Sequence, residues 1–343
     1  MLPADSAEWR NTMQKRNLKS PLLLLLTATI WGVAFVAQSV SMDYIEPFTF
    51  NCIRFLMGGL VLIPVILIME KRGRNETQAI NMESVASCSD VSAQSKKEEK
   101  QKGLRNISRI EWIGGIVCGL FLCAASNFQQ VGIQYTTVGR AGFITALYVV
   151  LVPVFGLFFR KKVAPVIWLC VVLSVVGLYL LCMSGDTLGI GYGDLLQIIC
   201  AAIFAFHILA IDYFSPKGRG VVISCIQFFV SGGISMILMF LFEHPQMANI
   251  FAARVSLLYA GVLSCGVAYT LQVVAQKGIN PTVASLILCL ESVISVLAGW
   301  VILGQALSFR EFAGCGLMFL AIVLAQVLPG RGAESAPEVS AES

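Results

Sequence analysis

Long apolar runs, separated by short polar connections, make up most of this sequence. A helix needs about 20 mostly apolar residues to cross the hydrocarbon core of a bilayer, where only the helix itself can satisfy its backbone N–H and C=O groups. We count ten such runs and call them spans one to ten in chain order. They cover residues 21–40, 48–69, 111–133, 136–159, 163–183, 192–211, 221–242, 255–275, 281–303 and 309–328. The pattern predicts an all-α polytopic membrane protein with ten transmembrane helices.

The composition supports a membrane location. Hydrophobic residues make up 57% of the 343-residue chain and charged residues 13%, against roughly 45–50% and 25% in soluble domains. Ten of the eleven cysteines, all but Cys88, lie in apolar runs, so we interpret them as packing residues rather than a disulfide framework. The net charge of +4 is small and the basic residues lie in loops, so we expect no nucleic-acid partner.

The loop charges predict how the chain is oriented in the membrane. If the N-terminus lies in the cytoplasm, 20 Lys and Arg residues fall on the cytoplasmic side and 3 on the opposite side. The positive-inside rule favours this arrangement, and an even number of spans returns the C-terminus to the same side. We therefore expect an integral protein of the plasma (inner) membrane with both termini in the cytoplasm.

Short motifs recur at a distance that divides the spans into two groups of five. They are CIRF at 52–55 and CIQF at 225–228, and Asp43-Tyr44 after span one and Asp212-Tyr213 after span six. Because five is odd, the second group starts on the opposite side of the membrane, and the two groups are inverted relative to each other. Inverted repeats are a recurrent construction of secondary transporters, in which the substrate binds near the midplane between the repeats.

Two segments resemble EamA-type members of the drug/metabolite transporter superfamily. They are GRAGFITALYVVLVPVFGLFF at 139–159 and AYTLQVVAQKGINPTVASLILCLESVISVLAGWVILGQ at 268–305. The resemblance implies ten helices in two inverted five-helix repeats, a central cavity and the movement of small metabolites. Arg160 and Gln305 depart from it, since the family often has an acidic residue at the position of Gln305.

The same resemblance implies the domain boundaries. We expect a first repeat at 20–184 and a second at 190–328, between cytoplasmic tails at 1–19 and 329–343. Residues 70–110 form a polar insertion in the first repeat, rich in Ser, Lys and Glu. We expect a solvated cytoplasmic segment there, because it cannot bury enough apolar surface to fold alone.

Two charged residues inside the predicted spans are the main functional candidates. An ionisable group at the bilayer centre costs at least about 2.5–3.5 kcal/mol, so it needs a partner, a wet cavity or a function. Glu291 in span nine either faces a translocation path or forms a structural bridge. Arg54 in span two either binds a substrate carboxylate or acts as a fixed brace, and it could also pair with Glu291.

Polar and aromatic residues at helical spacing extend the candidate path. Together with Arg54 and Glu291 the candidates are Trp31, Asn51, Asn127, Gln130, Tyr148, Phe204, His207, Tyr269 and Gln272. Each alone is explained by interhelical hydrogen bonding or packing, but together they suit a zwitterionic or amphipathic metabolite. His207 could couple protons, and a hydrogen-bonded interface residue is the simpler interpretation.

These observations favour a secondary transporter that exports a small metabolite, such as an amino acid or amphipathic compound, by alternating access. A membrane-embedded enzyme or lipid-handling protein is the alternative. We expect no enzyme activity and no cofactor, because the sequence has neither a P-loop nor a metal-ligand cluster. The expected partners are a small-molecule substrate and membrane lipid. Proton or ion coupling and a homodimer are both compatible with the sequence.

Overall fold

The computed structural model describes residues 6–84, 107–136, 138–159, 163–182, 191–277, 279–303 and 308–327, and these are helical apart from short connections. Seven spans are uninterrupted helices. They are Ser6–Ser41, Pro47–Ser84, Arg109–Ile133, Pro165–Cys182, Tyr192–Phe214, Gly220–Phe242 and Phe309–Val327, which correspond to spans one, two, three, five, six, seven and ten. A one-turn 3-10 helix, Ser215–Lys217, follows span six.

The remaining three spans are interrupted or irregular. Span four consists of Val138–Ala146 and Tyr148–Phe158, and span nine of Pro281–Leu288 and Leu290–Leu303. Span eight runs through Arg254–Leu258, a π-helical stretch Tyr259–Tyr269 and Thr270–Ala275. A short helix, Met247–Ala252, precedes it.

Eight of the described helical segments are long and apolar enough to cross a membrane. They lie at 19–41, 47–71, 109–133, 141–158, 192–217, 220–242, 254–275 and 281–298. Two shorter apolar helices, at 165–180 and 312–325, stand where spans five and ten are predicted. Each of the ten predicted runs is therefore helical, and eight of the helices satisfy the length and composition required of a membrane span.

Two helices extend beyond the membrane spans that the sequence predicts. The first begins at Ser6, inside the predicted N-terminal tail. The second continues to Ser84, into the polar insertion predicted at 70–110, and the solvated cytoplasmic location of that insertion stays a prediction. An isolated polar segment must first nucleate a helix, which is unfavourable in free energy. Extending an existing helix does not require this nucleation. Residues 85–106, the tail beyond 327, Arg160 and Gln305 lie outside the described residues.

A buried carboxylate at the start of span three fixes one end of span seven. The side chain of Glu111 accepts hydrogen bonds from the backbone N–H of Ser108 at 2.8 Å and of Arg219 at 2.9 Å. The Arg219 guanidinium donates two more, from Nε at 2.7 Å and Nη2 at 3.1 Å. Charge-assisted bonds of this kind are stronger than neutral ones, so they tie span three to the chain just before span seven.

A second carboxylate fixes the other end of span seven. Glu243, just after that span, accepts bonds at 2.6 Å from the backbone N–H groups of Phe48 and Thr49 and one at 2.7 Å from the Thr49 hydroxyl. Burial raises the pKa of Glu243 above its usual value, and these three donors act in the opposite direction. Span seven is thus connected to span three at one membrane surface and to span two at the other.

Small residues allow the helices to approach closely. A Cβ atom added to Gly115 would lie 2.5 Å from Cβ of Ile226, and one added to Gly119 would lie 2.7 Å from Cβ of Val230. The GxxxG pair of span three therefore packs directly on span seven, as such pairs do in membrane bundles. Gly32 brings span one equally close to Ile294 of span nine.

The packing order of the spans has a regular form. Span one packs on spans eight and nine, and span two packs on spans seven and eight. Span three packs on spans six and seven, span four packs on spans six and nine, and span five packs on span ten. If every span number is advanced by five, counting on from ten to one, each pair becomes another pair of the same set, or itself. Spans one, four, six and nine lie together at the centre of this arrangement.

We predict that Gly115→Ala destabilises the protein, because the new methyl group must push spans three and seven apart. Overpacking a tight contact costs about 1–3 kcal/mol. Thermal melting of the detergent-solubilised protein measures the effect. Gly233→Ala is the matched control, since a Cβ at Gly233 would meet nothing within 4 Å. Equal melting shifts for the two variants would contradict the packing described here.

Candidate functional site

A narrow cavity of about 40 Å³ lies at the centre of the bundle. Seven spans contribute to its wall, with Trp31, Phe35, Gln38, Arg54, Gln129, Thr145, Tyr148, Phe204, His207, Ile208, Ser264, Tyr269, Gln272, Leu288 and Glu291 as lining residues. A water molecule needs roughly 10–15 Å³ of such space, so the cavity has room for about three waters.

Eight of the eleven candidates from the sequence line this cavity. They are Trp31, Arg54, Tyr148, Phe204, His207, Tyr269, Gln272 and Glu291. The structure thus brings together side chains from spans one, two, four, six, eight and nine that are far apart in sequence.

The other three candidates lie outside the cavity wall. Asn51 donates from Nδ2 to Oδ1 of Asn127 at 2.7 Å, and Asn127 donates to Oγ of Ser235 at 3.1 Å. These bonds join spans two, three and seven, which is the structural role of amide side chains in membrane bundles. Gln130 donates to the carbonyl of Gln38 at 3.4 Å, directly behind the wall.

The buried carboxylate of Glu291 lies where two interrupted helices meet. Its Oε1 accepts a hydrogen bond of 3.0 Å from the hydroxyl of Tyr148. Tyr148 is the first residue after the break in span four, and Glu291 is in the first turn of the helix Leu290–Leu303.

Arg54 is 2% exposed and keeps unpaired donors. Its guanidinium carbon lies 4.7 Å from the ring centroid of Phe55 and 5.1 Å from that of Phe50. Among the described residues its Nε and Nη2 have no hydrogen-bond partner, and it forms no ion pair with Glu291. The pairing of these two charges, which the sequence left open, is therefore not formed in the structure. Cation–π contacts stabilise the charge in part, but they do not satisfy the N–H groups.

Unpaired acceptors complement these donors. Oε1 of Gln38 and Oε1 of Gln272 are buried and have no partner in the described part of the chain, and both residues line the cavity. A buried polar group without a partner costs about 1–3 kcal/mol. The cavity therefore offers cationic donors on one side chain and neutral acceptors on two others to an incoming ligand.

Aromatic rings form much of the remaining wall. The centroids of Trp31 and Tyr269 lie 4.4 Å apart, and the His207 ring meets the rings of Phe204 and Tyr269 edge-on at 6.3 Å and 6.2 Å. His207 Nε2 lies 3.2 Å from Oε1 of Gln227, so the imidazole both faces the cavity and is held by a hydrogen bond. The hydrogen bond fits the simpler interpretation of His207 as an interface residue, and proton coupling through His207 stays a prediction.

Sequence reasoning did not include seven of the lining residues among its candidates. They are Phe35, Gln38, Gln129, Thr145, Ile208, Ser264 and Leu288. A helical spacing signal existed for Phe35, four residues after Trp31, and for Gln38, three residues after Phe35. Thr145 likewise precedes Tyr148 by three residues, and its hydroxyl donates to Oε1 of Gln197 at 2.9 Å. The described residues contain no group of three His, Cys, Asp or Glu side chains that could hold a metal ion.

Comparison with known proteins gives consistent results. Residues 18–85, 98–183 and 191–326 match the model of the EamA-like transporter family. An uncharacterized transporter of Archaeoglobus fulgidus is 26% identical over 319 residues, covering 90% of this chain and 86% of the relative. The uncharacterized inner membrane transporter YedA of Escherichia coli K12 is 21% identical over 305 residues, or 86% of each chain. A solved crystal structure superposes with a TM-score of 0.69 at 19% identity, covering 92% of this chain and 99% of the other, and shares the fold.

We predict that Tyr148→Phe destabilises the protein by about 1–3 kcal/mol, because the Glu291 carboxylate loses a hydrogen-bond donor. The loss should be smaller in a Glu291→Gln background, where no buried charge is left without that donor. Thermal melting of the two single variants and the double variant gives the coupling between the residues. Tyr259→Phe is the control, since its hydroxyl donates to the carbonyl of Ile30 at 3.0 Å and should cost the same in both backgrounds. Equal losses for Tyr148→Phe in both would contradict a specific Tyr148–Glu291 interaction.

Proposed function

Because this multi-pass membrane protein belongs to the EamA-like transporter family, we propose that it is a secondary transporter that exports a small zwitterionic metabolite, such as an amino acid, by alternating access. The observation that carries the substrate class is the set of unpaired polar atoms in the central cavity. Nε and Nη2 of Arg54 are donors of the geometry that a carboxylate accepts bidentately.

The opposite end of such a ligand has its own partners. An ammonium group carries only donors, and the cavity provides the unpaired Oε1 atoms of Gln38 and Gln272 together with the Glu291 carboxylate. The rings of Trp31 and Tyr269 offer an apolar and polarisable surface for the rest of the molecule. A ligand with separated carboxylate and ammonium groups would therefore satisfy groups that are costly to leave unpaired.

The small volume of the cavity supports a mechanism that needs helix movement. At about 40 Å³ it holds space for a few waters, so we expect a bound metabolite to require a more open arrangement. The breaks at Leu147 and Cys289 lie next to Tyr148 and Glu291. Half-helices that can change their mutual angle beside the ligand are a feature of alternating-access transporters.

Residue recurrences support two inverted repeats. Gly119, Cys123, Gln130 and Gln134 recur 142 residues later as Gly261, Cys265, Gln272 and Gln276. The breaks in spans four and nine, at Leu147 and Cys289, are separated by the same 142 residues. The packing order, which is preserved when span numbers are advanced by five, agrees with this relation. We infer that the two shorter apolar helices are spans five and ten, that 20–184 and 190–328 form the repeats, and that the total is ten spans.

The excess of basic residues in alternate loops supports an orientation with both termini in the cytoplasm. Lys217 then lies on the cytoplasmic side and Ala248 on the outer side, and both are exposed. We predict that, in a Cys88→Ser background, a membrane-impermeant maleimide labels Ala248→Cys in intact bacterial cells. Lys217→Cys should be labelled only after the membrane is permeabilised, because the reagent cannot reach the cytoplasm. The reverse pattern would show that the orientation is wrong.

For transport, we predict that the protein reconstituted in liposomes exchanges a labelled amino acid against an internal pool. Arg54→Gln should lower the apparent affinity at least about tenfold, because a charge-assisted hydrogen bond contributes about 1.5–3 kcal/mol. Glu291→Gln should weaken exchange and change its response to an imposed pH gradient if proton coupling uses this carboxylate. Arg310→Gln is the control, since Arg310 is exposed and stacks on Tyr179 away from the cavity.

Absence of both net flux and exchange across an amino-acid and amphipathic-metabolite library would contradict the transporter proposal. Formation of a product from a lipid by the purified protein, lost in Glu291→Gln, would favour the alternative of a membrane-embedded enzyme. Efflux from preloaded cells that depends on Arg54 distinguishes export from import. Gel filtration of each variant separates loss of function from loss of folding.

A further inference from the structure

An apolar groove lies on the outer surface of the bundle, away from the central cavity. It has a volume of about 260 Å³ and lies between span two, which contributes Ile53 and Met57, and the segment that leads into span eight. The short helix Met247–Ala252 covers one side through Met247 and Phe251, which are 79% and 68% exposed. An exposed apolar patch of this kind is typical of a surface that contacts lipid or a partner.

The groove has a structural cause in the repeat. Between spans three and seven, Gly115 allows direct contact with Ile226. The residue 142 positions after Gly115 is Leu257, which lines the groove together with Ile53. Close contact between spans two and eight resumes one turn later, where a Cβ on Gly261 would lie 2.6 Å from the sulfur of Met57. A leucine in place of a glycine thus keeps this end of the interface open.

One cation stands at the end of the groove. Arg254 is the charged residue among the described lining residues, and it is the first residue of a candidate span, so it lies at the membrane boundary. Its guanidinium carbon is 4.6 Å from the Phe251 ring centroid, and its Nη1 donates to the Phe251 carbonyl at 3.0 Å. These contacts hold the side chain over the groove while it remains exposed.

We propose that this groove binds one anionic phospholipid, with an acyl chain along the apolar wall and the headgroup phosphate at the Arg254 guanidinium. The apolar wall accepts a hydrocarbon chain without leaving polar groups unpaired. Arginine binds phosphate bidentately, and an arginine at the membrane surface attracts anionic lipid over zwitterionic lipid. The site is independent of the central cavity and of what the protein transports.

Native mass spectrometry of the full-length protein with phosphatidylglycerol and phosphatidylcholine of identical acyl chains tests the proposal. The wild type should retain phosphatidylglycerol about fivefold more, the factor expected from one cationic side chain at the membrane surface. Arg254→Gln should abolish this preference. Arg310→Gln should preserve it, since Arg310 is also an exposed arginine stacked on an aromatic ring but has no groove among its described contacts. Leu258→Trp, which fills the groove at a 54% exposed position, should reduce retention of both lipids.

Three results would overturn the proposal. The first is equal retention of the two lipids by the wild type. The second is an equal loss of preference in Arg254→Gln and Arg310→Gln, which would indicate general charge attraction. The third is displacement of the lipid by glycerol phosphate alone, which would show that the headgroup binds without the acyl groove. Melting temperatures of the variants, measured in the same detergent, separate these results from misfolding.

Discussion

The lack of hydrogen-bond partners in lipid is the constraint on which the rest of this structure depends. Backbone groups must be satisfied within each helix, so a break is tolerated only where the bundle surrounds it. The breaks at Leu147 and Cys289 are in spans four and nine, and both lie beside the central cavity. The same departure from regular helix that would be costly against lipid places Tyr148 and Glu291 within hydrogen-bond distance of each other. The irregular backbone and the candidate site therefore share one physical origin.

Around this centre, close packing and a few strong polar contacts hold the outer helices. Glycines let span three approach span seven, and the carboxylates of Glu111 and Glu243 connect span seven to its neighbours at both ends. Between helices that are already in lipid, the hydrophobic effect does not drive association. Van der Waals attraction at such close contacts stabilises the packing instead. Spans two, three and seven thus have several specific connections, whereas the lining of the cavity keeps several polar atoms unpaired. If the cavity binds the substrate as we propose, stability and ligand binding belong to different parts of the bundle.

The cavity and the groove differ in the chemical groups with which they would interact in a ligand. In the cavity, Arg54 is almost fully buried and two of its nitrogen atoms have no partner among the described residues, which is why we propose a substrate with a negative group. At the groove, Arg254 is exposed and already stacked on Phe251, so a ligand gains mainly from apolar contact and adds a phosphate at the rim. Burial makes the first arginine selective, because an unpaired charged donor away from water is costly. Because Arg254 is exposed, we propose that it orients the lipid headgroup at the membrane surface.

The sequence by itself determined where the helices run, that two charges are embedded in them, and which family pattern they follow, because these depend on local composition and on spacing along the chain. Only the tertiary structure decided how each helix is rotated about its own axis. The sequence favoured Gln130, yet its neighbour Gln129 lines the cavity, because Gly115 and Gly119 fix the face of span three that packs on span seven. In the same way Asn51 turns toward Asn127, and Arg54 and Glu291 share a cavity without pairing. Helical periodicity gives the angles between the side chains of one helix. Contacts between helices set the rotation of each helix about its own axis.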